Sequence, residues 1–121
     1  MLVAGLAVAG ALGAPVRYLL DGFVQDRTES VMPLGTLVIN VSGSFLLGVL
    51  AGLALYHAFP STPKAILGAG FCGAYTTFST FTHETVRLAE ERAFGTAARN
   101  VLASLVLPAL AAGAGLALAA L

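Results

Sequence analysis

The chain has 121 residues, 58% of them hydrophobic and only 10% charged, and its formal net charge is zero. A soluble domain of this size would carry about a quarter charged residues, whereas a mean hydropathy of +0.90 makes this chain lipid-soluble. No basic stripe is present to neutralise phosphates, so nucleic acid is excluded as a partner. The lone Cys72 has no disulfide partner and no metal-ligand spacing around it, and reads as a small packing residue.

The first apolar run, Leu2 to Tyr18, holds no charge before Arg17. Its "AVAGALGA" stretch would suit a signal-peptide cleavage site, but a positive leading segment is missing and three more apolar runs follow, so it is read as a span. Gly5, Ala9 and Gly13, four apart, mark a face on which another helix can pack closely. "DGFVQDRTES" (21–30) reads as the first connection. The second run, Val31 to Phe59, has Pro33 near its start, where a missing N–H costs little. Within it Thr36, Asn40, Ser44, Gly48 and Gly52 recur every four residues along one drifting stripe. The glycines and Ser44 read as tight helix packing. Asn40 differs, because an amide left unpaired in lipid is costly; it either bonds across helices or lines a polar path.

"FPSTPK" (59–64) forms the second connection, with Pro63 near the next helix start, and the third run extends from Ala65 to Thr82. "RLAEERAFGTAARN" (87–100) connects it to the fourth, Val101 to Leu121. Each run can supply the ~20 residues that cross a ~30 Å hydrocarbon core. Backbone groups in lipid must be satisfied internally, and without period-2 alternation the spans are helices, not barrel strands. The expectation is an all-α membrane protein: one domain, 1–121, of four transmembrane helices. Four helices pack around a filled centre, so any conduction path is narrow or shared with a second subunit.

The third run carries the unusual chemistry. "GAGFCG" matches G-x-G-x-x-G formally, but inside a membrane span it lacks the strand and the acidic residue of a dinucleotide site. His83-Glu84 is not a zincin motif, since Arg87 stands where a second histidine is needed. No credible nucleophile–base pair is present, so an enzyme is not expected. What remains is "CGAYTTFSTF" (72–81), where glycine, threonine and serine weaken the helix and compete for its hydrogen bonds. This composition suits a helix broken mid-membrane, whose free carbonyls hold a cation while hydroxyls face an anion. Phe78 and Phe81 share a face, and their electropositive ring edges can hold an anion without a full charge. A hydroxyl-decorated packing helix fits the same composition equally well.

Three stretches, "GALGAPVRY" (10–18), "GTLVINVSGSFLLG" (35–48) and "GFCGAYTTFSTFTHE" (70–84), resemble the fluoride channels of the CrcB/Fluc type, in matching order and over essentially the whole chain. The resemblance implies a fluoride-selective channel that lets fluoride leave the cytoplasm passively, in the cell (inner) membrane. It implies an antiparallel dual-topology dimer with two narrow pores around a central structural sodium ion. By position, Asn40, Phe78, Ser79, Thr80, Phe81 and Ser104 match pore positions. Gly73 and Thr76 match the helix break whose backbone carbonyls hold sodium. Arg17 and Glu84 match charged positions near the membrane interfaces, where snorkelling or an ion pair is an equal alternative.

The chain departs from the family's pattern at Asn100, where a tyrosine is common, at Pro108, which invites a kink in the fourth helix, and mildly at Ala74. Charge raises a further question. Both termini and the 60–64 loop share one side, which carries only Lys64, while Arg17, Arg27, Arg87, Arg92 and Arg99 lie towards the other. A dual-topology homodimer needs little bias, so a heterodimer with an oppositely oriented homologous subunit stands beside the homodimer. The alternative function, a small multidrug-type proton-coupled exporter, needs an intramembrane carboxylate. Among Asp and Glu only Glu84, near the end of the third span, approaches that position.

Overall fold

The computed structural model describes residues 1–29 and 31–121; Ser30, the last residue of the expected first connection, lies outside the described residues. Helix is the only regular structure among them, as a backbone that satisfies itself in lipid requires. The elements are α1 (Leu2–Arg27), α2 (Leu34–Tyr56), α3 (Ser61–Ala65), a π-helical segment (Ile66–Cys72), α4 (Gly73–Tyr75), α5 (Ser79–Glu90) and α6 (Phe94–Ala119). Three of them, α1, α2 and α6, are long and apolar enough to cross a membrane.

Two connections are shorter than the charge pattern suggests. Helix α1 runs through "DGFVQDR" to Arg27 because one-turn pairs support it. Gln25 donates to the Asp21 carboxylate at 2.9 Å, and the Arg27 guanidinium lies 3.7 Å over the Phe23 ring. Likewise α5 continues to Glu90 and α6 starts at Phe94, leaving a tight turn in which Arg92 takes φ 60°. Pro33 caps α2, and Pro63 lies in α3. Helix α6 is continuous through Pro108, whose missing amide leaves the Ser104 carbonyl without its helical donor.

Small residues set the packing. The most extensive interface joins α2 to α6. At Gly48 a Cβ would fall onto the Ala112 carbonyl, at Gly52 onto Ala119, and at Gly115 onto the Phe45 carbonyl. Helix α1 lies as closely on the π-helical segment: a Cβ at Gly70 would stand 3.0 Å from that of Ala9 and 3.2 Å from the Leu6 carbonyl. Where the hydrophobic effect gives no drive between helices, this close approach is what holds them.

The ends of the bundle follow. Gly5 packs on Ile66, and His57 Nε2 donates to the Ala119 carbonyl at 2.8 Å, gathering both termini and the 57–60 turn at one end. At the other end Asp21 packs against Gly35, and Thr36 meets Glu84.

Candidate functional site

The site grows from the point where the third apolar run stops being helical. Helix α4 ends at Tyr75, Thr76 is extended (φ −81°, ψ 161°), and α5 begins at Ser79. Gly73 is itself helical, so the interruption begins with Thr76, not at the glycine. Each residue across it is tied to its surroundings. Thr76 donates its amide (2.8 Å) and its hydroxyl (2.7 Å) to the Cys72 carbonyl. Thr77 is held at both ends of its backbone by one side chain: Asn40 Nδ2 donates to the Thr77 carbonyl at 2.8 Å, and Asn40 Oδ1 accepts the Thr77 amide at 2.9 Å. Thr77 Oγ1 in turn accepts the Thr80 amide at 3.2 Å and so caps the start of α5.

These bonds have a consequence for the carbonyls. In an unbroken helix the Thr77 amide would return to the Gly73 carbonyl, and the Thr80 amide to that of Thr76. Asn40 takes the first and Thr77 Oγ1 the second, so both carbonyls are released from helical bonding. Arg17 reaches the Thr76 carbonyl from α1 at 3.4 Å, the outer limit of a hydrogen bond. The break thus frees the carbonyls of residues 73–76 from their helical donors, Gly73 and Thr76 among them.

Beside the break Phe78 and Phe81 stand with ring centroids 5.6 Å apart and planes 55° to one another. Phe78 is 75% exposed on the single chain, and Ser79 next to it is exposed as well. Thr80 is half-buried and accepts the Thr77 hydroxyl at 3.1 Å. Helix α2 acts as a splint along this stretch. Besides Asn40, its Gly43 makes room for the Thr76 methyl and the Tyr75 ring. The buried Tyr75 brings its hydroxyl to 2.7 Å from Ser42 Oγ, which donates to the Ile39 carbonyl.

Ser104 lies apart from the break, in a polar chain between α6 and α5. Its hydroxyl donates to Asn100 Oδ1 at 3.4 Å, Asn100 Nδ2 donates to Thr85 Oγ1 at 2.8 Å, and Thr85 Oγ1 donates to the Phe81 carbonyl at 2.8 Å. Asn100 is only 1% exposed, so the residue that departs from the family's tyrosine is a buried connector of α5 and α6. Glu84 sits at the end of the bundle, where its carboxylate accepts the buried Thr36 hydroxyl at 2.7 Å. It lines an open cleft of about 430 Å³ together with Gln25, Thr28, Arg87 and Glu91.

Sequence reasoning therefore named Asn40, Gly73, Thr76, Phe78, Ser79, Thr80 and Phe81, which the fold brings to one place, and Arg17, which reaches it. Ser104 is joined to that place only through Asn100 and Thr85, and Glu84 stands at the bundle end. The connecting roles of Thr77, Thr85, Tyr75 and Ser42 were not anticipated. Tyr75 and Thr77 lie in the hydroxyl-rich stretch 72–81 that the sequence singles out, and Thr85 stands one helical turn beyond Phe81.

Similarity to known proteins covers the same ground. The family described as "CrcB-like protein, Camphor Resistance (CrcB)" matches residues 4–116. Fluoride-specific ion channel FluC 1 of Leifsonia xyli subsp. xyli is 47% identical over 116 residues, 96% of this chain and 85% of the relative. FluC 2 of Mycolicibacterium paratuberculosis is 48% identical over 118 residues, covering 97% and 93% of the two chains. FluC 1 of Streptomyces avermitilis is 47% identical over 115 residues, covering 94% and 89%.

Proposed function

The chain belongs to the CrcB family, and from that membership we propose that it is a fluoride-selective channel through which fluoride leaves the cell down its own gradient. It is a multi-pass membrane protein and not an enzyme. The observation that carries the reading is the interruption at 76–78, where the Phe78–Phe81 pair stands beside a backbone fixed by Asn40. Fluoride is small and holds its water tightly, so a path for it must offer donors in place of that water. Ser79, Thr80 and Ser104 hydroxyls and the second N–H of the Asn40 amide are such donors. The ring edges of Phe78 and Phe81 add a weak attraction. Among the described residues no cation–π contact is made to Phe78 or Phe81, and the absence of a fixed positive charge on the rings favours passage over tight binding.

The narrowness of a four-helix bundle and the exposure of Phe78 and Ser79 support completion of two pores by a second subunit in antiparallel orientation. Either a second copy or an oppositely oriented homologue meets that need, and the excess of arginine towards one end favours testing both. The released carbonyls of Gly73 and Thr76 fit a sodium ion, since hard cations are held by oxygen donors without charge of their own when several converge. Two such carbonyls from each subunit would hold it. When bound, the ion supplies fixed positive charge beside the anion path. The test is efflux from liposomes loaded with fluoride, with chloride-loaded controls. Fluoride release far above that of empty vesicles, with little chloride release, is expected. Equal chloride flux, or no flux, refutes the reading.

A further inference from the structure

We propose that Asn100 is a positioning residue that decides whether the Ser104 hydroxyl can donate to a passing anion. The inference rests on the channel reading above. It starts from the polar chain Ser104–Asn100–Thr85–Phe81, in which every link has a direction. As the amide stands, the Ser104 proton is directed at Asn100 Oδ1, and the Ser104 oxygen has only lone pairs left for the surroundings. An anion meeting lone pairs is repelled.

Half a turn of the Asn100 amide about its last torsion reverses the chain without orphaning any member. Nδ2 then donates to Ser104 Oγ, and Oδ1 accepts the Thr85 hydroxyl. The Phe81 carbonyl loses its side-chain donor and keeps its helical one within α5. The Ser104 proton is left for the anion. Oxygen and nitrogen of an amide are nearly the same size, so the turn needs no repacking around a buried side chain. The link at Ser104 is the longest of the three, 3.4 Å against 2.8 Å for the other two, so release begins at the end where the anion would arrive. An amide can serve both arrangements because it carries donor and acceptor on one planar group. Leucine of similar size offers neither.

The test is a cycle of fluoride efflux measurements. Asn100→Leu removes the switch, and the Ser104 hydroxyl then turns back to its own helix as serine does. Flux is expected to fall about tenfold, the worth of one charge-assisted hydrogen bond. In a Ser104→Ala background the same change is expected to alter flux by less than about twofold, because no hydroxyl is left to position. Thr85→Val provides an arm of opposite sign and conserves shape. Without an acceptor at position 85, Nδ2 turns to Ser104, since a buried carbonyl tolerates a missing partner better than an N–H. Flux at or above that of the unaltered protein follows. An equal loss from Asn100→Leu in both backgrounds, or a loss from Thr85→Val, overturns the proposal. If Asn100→Leu does not fold, the Thr85→Val arm decides alone. Absence of fluoride flux in the unaltered protein refutes the channel reading and removes this inference with it.

Discussion

Replacing Asn40 by leucine tests the splint across the interruption. The side chain makes two bonds to one peptide unit, at 2.8 Å to the Thr77 carbonyl and 2.9 Å from its amide. Each such bond contributes about 1 kcal/mol net, and interhelical bonds in membranes fall in the same range. Leucine fills the space and supplies neither partner, so local opening at Thr77 becomes easier by about 2 kcal/mol. At 1.4 kcal/mol per factor of ten, exchange of the Thr77 amide hydrogen should accelerate about 25-fold. Amides in the middle of α6 should keep their rates. Hydrogen exchange in detergent micelles, read on peptides spanning 72–81, measures this. Asn40→Asp gives an internal comparison, because it keeps the acceptor for the Thr77 amide and loses only the donor to the carbonyl. Its acceleration should be much smaller. Unchanged exchange in Asn40→Leu, or equal acceleration in the two variants, would refute the splint.

Two further outcomes are expected. Gly48→Ala places a methyl on the Ala112 carbonyl with α2 and α6 already in contact; a loss of about 1–3 kcal/mol follows, and thermal unfolding should show it beside an unaffected Gly22→Ala, where nothing lies within 4 Å. Phe81→Ile removes one ring edge from the aromatic pair and should cut fluoride efflux while the oligomer elutes unchanged on size exclusion; retained flux would count against the aromatic contribution.

Much of this arrangement was legible in the residues. Three of the four apolar runs located α1, α2 and α6, because lipid thickness imposes a length on a span, while the third run folds as several short segments. They misjudged the ends of α1, α5 and α6, because the same runs say nothing of helix that continues into water on pairs such as Gln25–Asp21. The four-residue stripe of α2 was visible, but its division of labour was not. Each four-residue step turns about 40° past a full turn, so over Thr36 to Gly52 the stripe swings from α5 to α6. Thr36 and Asn40 accordingly bond Glu84 and Thr77, while Gly48 and Gly52 seat α6. The break was foreshadowed by threonines. Its placement at Thr76 rather than Gly73 depends on Asn40 and Thr77 Oγ1 capturing particular amides, a tertiary fact with no local signature. The winding of Ile66–Cys72 as a π-helix has no local signature either; its Gly70 is pressed against α1 and its Gly68 faces Leu47 of α2.

The way the interruption is satisfied also bears on how the protein is made. The Thr76 and Thr77 amides and the Thr77 carbonyl find their partners at Cys72 and Asn40 of the same chain. A newly inserted polypeptide thus leaves the insertion machinery with both backbone groups of Thr77 and the amide of Thr76 already shielded from lipid. What it still presents are the carbonyls that the break releases, Gly73 and Thr76 among them, which a companion subunit can cover. Insertion and pairing become separable events, and the second can wait on the arrival of whichever companion the membrane holds.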